Sequence, residues 1–360
     1  MNYAAFLELK MMIEKIRNFL NNRYNINEYP ALDQQFIIWN RTKPLAGVRI
    51  LDGTPVFTNT LLKYINLLAA GAELTVGYSE NIPYDPSVVN FLEQIGMPTA
   101  YNCNKAGAFD VILDCNAVYR DLCPVKGFAE LTRSGAYHFE RSILPVINVD
   151  DSPIKAIETC LGTGESFLRA MQSLGYNAAG KNIVVIGCGK VGRGVVFYAG
   201  KAGANVIAID DPALQIKCVN GTLISRFDRP RVIEALRNAW CVVTATGKAD
   251  SLANENEYID VLLEGNTLIA SMSVEDEWGG ALPPERVLNN KEPLNFILPE
   301  PTLLRYIDPT MALHNHAAVE LLHNSYPAGL RKPDKSAHDE YWNFVEKYGI
   351  ISDELSAAGL

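Results

Sequence analysis

The stretch from Lys181 to Pro212 constrains this chain more than any other. It reads KNIVVIGCGKVGRGVVFYAGKAGANVIAIDDP. Asn182–Ile186 is a short apolar run rich in β-branched residues, the pattern of a strand buried on both faces of a parallel sheet. Gly187-Cys188-Gly189-Lys190-Val191-Gly192 follows at once. A helical apolar pattern then runs from about Gly194 to Ala202. Gly203 ends it, and Asn205–Ile209 repeats the buried-strand pattern with Asp210 at its end.

Each part has a physical reason. Gly187 allows a tight strand-to-helix turn. Gly189 lets the backbone approach a pyrophosphate, and Gly192 lets the helix lie close to the strand. The free N–H groups and positive dipole end of the helix face the phosphates, with Lys190 and Val191 in its first turn. Asp210 stands about 20 residues beyond the glycines, where a carboxylate accepts hydrogen bonds from ribose hydroxyls. It would repel a 2′-phosphate, so the expected cofactor is NAD rather than NADP. The bland alternative is a Rossmann-type unit that has lost its ligand.

With 360 residues, two domains are expected. A hydrophobic content of 48% and a charged content of 20% are those of a globular protein. The net charge of −9 argues against nucleic acid or an anionic membrane as main partner. The seven cysteines are scattered without a CxxC pair, which suits a reduced cytoplasm and gives no zinc site. No apolar run is long enough to span a bilayer. Charges at Glu8, Lys10, Glu14 and Lys15 exclude a signal peptide.

Residues 3–22 read as an amphipathic helix with Phe6, Leu7, Met11, Ile13, Ile16, Phe19 and Leu20 on one face. This face suits the domain's own core or a second copy of the chain, so a homo-oligomer, dimer or tetramer, is expected. Asn21 to Pro30 reads as a polar connection. Strands are expected at Val48–Leu51, Leu74–Gly77, Thr99–Asn102, Phe109–Asp114, Ala136–Phe139 and Val146–Val149. Helices are expected at about Asn59–Ala70, Pro86–Ile95 and Tyr119–Thr132. Beyond residue 150, helices are expected at about Glu158–Gly175, Pro230–Ala239, Tyr258–Glu264, Thr310–His323 and Lys335–Gly349. Strands are expected there at Cys241–Thr246, Thr267–Ser271 and Asn295–Leu298. The fold class is therefore α/β, with two doubly wound parallel-sheet domains, the second inserted into the first. The domains are 1–155 plus 315–360, which carries the substrate, and 156–314, which carries NAD.

In this order the segments resemble the S-adenosylhomocysteine hydrolase (adenosylhomocysteinase) family over roughly residues 30–350. The resemblance rests on Lys43-Pro44-Leu45-Ala46-Gly47-Val48-Arg49-Ile50, on Ala70-Gly71-Ala72-Glu73, and on Ile147-Asn148-Val149-Asp150-Asp151-Ser152 with Lys155. It continues through Gly162 to Ser166, the glycine loop, the Gly203-to-Asp210 spacing and Thr244-Ala245-Thr246-Gly247. The resemblance implies tightly held NAD that takes a hydride from a ribose carbon and returns it after thiol elimination and water addition. It also implies that residues of about 150–160 face the nicotinamide, and that Thr244, Ala245, Thr246 and Gly247 join the cofactor site.

The departures matter as much. The family's catalytic histidine after the first strand falls on Pro55, and its substrate-binding threonine on Phe57. The second of its paired aspartates becomes Cys115, and its substrate-binding glutamate becomes Leu131. The aspartate–asparagine pair becomes Glu158-Thr159. A histidine is missing around Ser271-Met272-Ser273, and another before proline becomes Asp308. The lysine–tyrosine tail that covers NAD in a neighbouring protomer is absent. Of the catalytic set only Lys155 remains. Proline cannot act as a base and phenylalanine cannot hydrogen-bond a hydroxyl. Ordinary S-adenosylhomocysteine hydrolysis is therefore not expected.

Lys155 is the leading candidate base, against a solvated lysine. Glu158 and Asp308 are candidate replacement acids, against cap or surface roles. His314 is a candidate cleft residue, against a packed histidine. His314 and His316 lie two apart and cannot share a helix face, so no metal site is expected. Cys115 and Cys160 are small buried residues sooner than nucleophiles. Two functions follow. One is an NAD-dependent enzyme that transforms a small metabolite through a transient ketone. The other is an inactive NAD-binding regulator or scaffold.

Overall fold

The computed structural model describes residues 3–105 and 107–360, with side chains in the first helix from Leu7 onward. Phe6, counted above on the apolar face of that helix, lies outside the described side chains. The chain forms two compact units, Met1–Lys155 with Leu304–Ser352, and Ala156–Leu303 with Asp353–Leu360.

The first unit opens with α1 (Tyr3–Leu20) and α2 (Pro30–Thr42). β1 (Arg49–Asp52), α3 (Thr60–Ala69), β2 (Glu73–Tyr78), α4 (Pro86–Gln94) and β3 (Thr99–Tyr101) follow. Then come β4 (Val111–Asp114), β5 (Gly127–Glu130), α5 (Arg133–His138) and β6 (Pro145–Asn148). In the second unit a π-helical turn over Ile157–Gly162 runs into α6 (Thr163–Ser173). It continues as β7 (Asn182–Ile186), α7 (Lys190–Lys201), β8 (Asn205–Asp210), β9 (Thr222–Ser225) and α8 (Arg229–Arg237). β10 (Cys241–Thr244), α9 (Asn256–Glu264) and β11 (Leu268–Ser271) complete its sheet. The chain then returns through α10 (Leu304–His323), β12 (Gly329–Arg331) and α11 (Lys335–Tyr348), and ends in α12 (Ser352–Ala358).

Both sheets are parallel throughout. The first has the order β12-β6-β5-β4-β1-β2-β3 and the second β11-β10-β7-β8-β9. In the first, β1 lies between β2 and β4, with Ile50 opposite both Leu74 and Val111. In the second, β7 lies between β8 and β10, with Ile183 opposite both Val206 and Cys241. The strand order reverses at β1/β4 and at β7/β10, and in open parallel sheets ligands bind beyond the strand ends at such reversals.

α3 decides the core of the first unit. All ten of its residues are buried, because α1, α2 and α10 pack over it while the sheet lies beneath. The polar connection expected before residue 30 does lie at 21–29, but α2 was not foreseen. Its signals are Pro30 at the first helical position and Ala31, Leu32, Gln35 and Trp39 buried at helical spacing. Lys43 closes it in a left-handed conformation.

Four expectations are corrected. Residues 119–132 are no helix. Pro124 and Gly127 break the run, and Gly127–Glu130 pairs between β4 and β6. Residues 136–139 belong to α5, which Thr132 starts by accepting the Gly135 N–H. Residues 294–297 form a 3₁₀ turn after Pro293, with Leu294 in the core. The second crossing lies at 303/304 rather than 314/315, because α10 is one continuous helix packed on the first sheet.

Asp308, on α10, is wholly buried and accepts the N–H of Ala31 at 2.9 Å and of Leu32 at 2.8 Å. It therefore caps α2 from a distant helix and is not an acid open to substrate. Burial pushes its pKa up to about 8, against the pull of those two amides. A carboxyl raised above its unfolded value of about 4 favours folding most below pH 4, and loses that contribution as pH rises towards 8. Urea unfolding of wild type should therefore show a falling contribution between pH 5 and 8 that Asp308→Asn removes. Equal pH slopes in the two proteins would rule this out.

Candidate functional site

Two clusters occupy the reversal points, one in each unit. In the first unit β1 ends on Asp52 and β4 on Asp114. Asp52 pairs with Lys63 of α3, with both side chains wholly buried. A lysine enters so apolar a helix only with its counter-charge. Asp52 also accepts the Thr54 N–H at 2.9 Å. Burial opposes the Asp52 carboxylate, but Lys63 and its other neighbours outweigh that and hold its pKa below the usual range. Burial lowers Lys63, and Asp52 resists the fall. The lowered carboxylate and the direct contact identify an ion pair.

Cys115, Lys155 and His314 are buried in the same unit. Cys115 acts on the Lys63 charge. Lys63 and Lys155 both act on His314. His314 lies on α10 and is wholly buried, with Nε2 3.0 Å from the Ala129 carbonyl oxygen. A carbonyl only accepts, so Nε2 carries the proton and Nδ1 is a bare acceptor. Among the described residues Nδ1 has no hydrogen-bond partner. Burial, then Lys63, depress the His314 pKa to about 3, so the ring is neutral at physiological pH. Lys155 is 3% exposed at the end of the first unit's opening segment.

Beside this centre, carboxylates hold the loop after β4. Asp114 accepts the N–H groups of Cys115 and Tyr119. Glu130 at the end of β5 accepts those of Asn116, Ala117 and Thr132. Burial raises the pKa of both acids. Asn116 and Ala117 take left-handed φ values of 59° and 52°, strain that these bonds fix in place. Pro55 and Phe57 are half-buried, and Leu131 is buried. None of the three carries an acid or base.

In the second unit the glycine loop follows β7. The three glycines have different reasons. Gly187 has φ +89°, and a Cβ there would lie 2.7 Å from the Ala245 carbonyl oxygen. A Cβ on Gly192 would lie 1.8 Å from the Gly187 carbonyl oxygen. Gly189 has an ordinary extended backbone, φ −65° and ψ −157°, and a Cβ there would meet nothing within 4 Å. Nothing in the protein requires a glycine at that position.

The contact of Gly187 with Ala245 joins the loops after β7 and β10 across the reversal. Glu277, 1% exposed, braces the second loop by accepting from the Thr246 hydroxyl and from the N–H groups of Thr246 and Gly247. Asp210 accepts the Cys188 N–H at 2.6 Å and the Asp211 N–H at 2.7 Å, so it anchors the glycine loop itself. Lys190 and Val191 open α7. Glu158 is half-buried on the π-helical turn. Cys160 is buried, and its pKa rises to about 11, which leaves it an inert thiol. Among the described residues no group of three His, Cys, Asp or Glu could hold a metal ion. No helix there is long and apolar enough to cross a membrane.

Sequence reasoning placed the second-unit residues at one reversal. Lys155 and His314, named from the sequence, are buried in the first unit, and sequence reasoning did not name Asp52, Lys63 or Glu277. A lysine inside the otherwise apolar run 60–69 was the available signal for the pair.

No family model matches the chain. Curated proteins do. The adenosylhomocysteinase of Thermotoga maritima is 33% identical over 258 residues, which cover 63% of this chain and 63% of that protein. The adenosylhomocysteinase of Thermoplasma acidophilum is 27% identical over 275 residues, covering 68% and 66%. An S-inosyl-L-homocysteine hydrolase of Methanosarcina acetivorans is 28% identical over 268 residues, covering 65% and 63%. The match thus spans less than two thirds of the length of each of these relatives. Among solved structures, a dipicolinate synthase chain from Bacillus halodurans shares the fold, with a TM-score of 0.51 and 13% identity over 78% of this chain and 99% of that one.

Replacing Lys63 alone should leave Asp52 as a buried, uncompensated charge. Lys63→Met is expected to cost about 3–5 kcal/mol in chemical denaturation. Asp52→Asn combined with Lys63→Met should recover most of that loss. Additive losses in the double variant would mean that the two charges do not act as a pair.

Proposed function

We propose that this chain, a divergent relative of the adenosylhomocysteinases, binds NAD in its second unit and transforms a small hydroxylated or amino-acid-like metabolite. The observation that supports the cofactor best is Gly189. Its neighbours in the motif are glycines because the protein's own backbone crowds them, whereas Gly189 keeps open, exposed space at the start of α7 that suits the close approach of a pyrophosphate. The N–H groups at the start of α7 suit the pyrophosphate. Asp210 keeps a carboxylate at the end of β8 for the ribose hydroxyls and disfavours a 2′-phosphate. Thr244, Ala245, Thr246 and Gly247 form the facing wall of this site, held by Glu277. NAD, when bound, supplies an acceptor for hydride from a carbon bearing a hydroxyl.

Lys155 is the group we assign to the hydroxyl proton that such chemistry releases. His314 offers a neutral acceptor at Nδ1 and is buried in the same unit. Pro55, Phe57, Cys115 and Leu131 leave no polar set for an adenosine-type substrate at the positions where the resemblance expects one. A second reading, an NAD-binding regulator without turnover, draws on one observation: Asp52, Lys63 and His314 are wholly buried. Growth of NADH absorbance with a metabolite panel supports the enzyme, and tight NAD without turnover supports the regulator. We assign the protein to the cytoplasm as a homo-oligomer that acts on a small molecule.

Gly189→Val should leave the thermal midpoint within about 2 °C, since small surface changes are worth under about 0.5 kcal/mol. It should abolish NAD binding in calorimetry. A variant that folds and binds NAD like wild type would sink the cofactor assignment. Homocysteine release from S-adenosylhomocysteine should stay at background in the wild-type protein, because removing several groups that act as a unit leaves little beyond binding. Turnover at rates of about 1 per second or more, ordinary for enzymes, would overturn that part of the reading.

A further inference from the structure

A cavity of about 220 Å³ lies among α1, α2 and α3 in the first unit, and no strand residue lines it. The turn between the first two helices shapes it. α1 ends at Leu20, Asn21 and Asn22 take left-handed φ values of 39° and 58°, and the chain folds back into α2. Leu32, Phe36, Leu62 and Ile65 give the cavity an apolar surface.

Three polar groups line the same space. The Arg17 guanidinium lies 4.3 Å over the Phe36 ring, which steadies its planar fork, and it forms no ion pair among the described residues. Asp33 is half-buried in the first turn of α2. Among the described residues its carboxylate accepts one hydrogen bond, from the Gln34 amide at 3.3 Å. Asn66 on α3 is 2% exposed. Its amide protons go to the Leu32 carbonyl at 2.8 Å and to Gln35 Oε1 at 3.0 Å. Gln35 donates in turn to the Ala312 carbonyl and the Tyr341 hydroxyl, so the Asn66 amide is held in one orientation. That leaves Asn66 Oδ1 as an acceptor with no hydrogen bond among the described residues.

We propose that this cavity binds a free α-amino acid with an apolar side chain. Arg17 supplies the paired N–H donors that match a carboxylate. Asp33 and Asn66 Oδ1 supply acceptors for an ammonium group, which has three protons to place. Leu32, Leu62 and Ile65 receive the side chain. The mixed charge selects against simpler ligands. A phosphate ester would face the Asp33 carboxylate, and a plain amine would face Arg17 and Arg23, the second arginine of the wall. A zwitterion answers both signs. Burial raises the pKa of Asp33, as partial exclusion of water does, and the same exclusion strengthens an ion pair made there. The volume is below the roughly 300–1,000 Å³ of sites for drug-sized ligands, so it suits one small metabolite.

The inference does not rest on the dinucleotide reading, and the cavity shares no lining residue with the groups assigned to catalysis. Full-length protein would be titrated by calorimetry with L-leucine, with 4-methylpentanoate, which lacks the ammonium, and with 3-methylbutylamine, which lacks the carboxylate. L-Leucine is expected to bind with a Kd of about 1 mM or tighter, and each analogue about tenfold or more weakly. Arg17→Gln and Asp33→Asn alter an exposed and a half-buried side chain, so both should fold, which thermal unfolding checks. Each should weaken L-leucine by about tenfold or more. Arg17→Gln should not weaken 3-methylbutylamine, which has no carboxylate to lose. No binding of L-leucine would overturn the site. An analogue that binds as tightly as L-leucine would overturn the zwitterion. L-Leucine binding that survives both substitutions would put the ligand elsewhere in the protein and overturn the assignment of this cavity.

Discussion

Carboxylates that accept backbone N–H groups at the C-terminal ends of parallel strands hold this molecule's loops in shape, all of them buried except the half-buried Asp210. A parallel strand must leave its sheet there through a turn whose amides have lost their ladder partners. Asp52, Asp114 and Glu130 close such turns in the first unit, and Asp210 and Glu277 do so in the second. An orphaned buried amide costs about 1–3 kcal/mol, so each acid matters to the shape of its loop. Asp308 applies the same device to the first turn of α2.

This use of acids separates the two units chemically. In the second unit the braces leave open space at Gly189. In the first unit they surround a closed polar centre in which Lys63 is neutralised by Asp52 and His314 is kept uncharged. Where the resemblance expects a histidine, a threonine, an aspartate and a glutamate, this chain has Pro55, Phe57, Cys115 and Leu131. The charged pair stands on β1 and α3, which flank the loop that carries Pro55 and Phe57.

Much of the architecture was legible because apolar strands and glycine turns announce themselves locally. The glycine loop, β8 and Asp210 lie where the pattern puts them. The failures share one cause. Residues 119–132 have helical composition, but Pro124, Gly127 and the carboxylates of Asp114 and Glu130 impose a loop and a strand. α2 was missed because its apolar residues face α3 and α10, partners far away in sequence. Asp308 looked like a substitute acid because its position in the alignment said nothing of the helix end it caps.

The sequence by itself determined the two parallel sheets and the place of the glycine loop. These rest on periodicity, chain order and the steric needs of glycine, all local properties. Only the tertiary structure decided which acids are braces and which polar groups meet. Asp308 and Ala31, and His314 and Ala129, become neighbours only when helices and strands far apart along the chain pack together, while Asp52 and Lys63 meet across the consecutive elements β1 and α3. Burial then fixes their charge, because a low-dielectric interior allows a charge to persist only beside its partner.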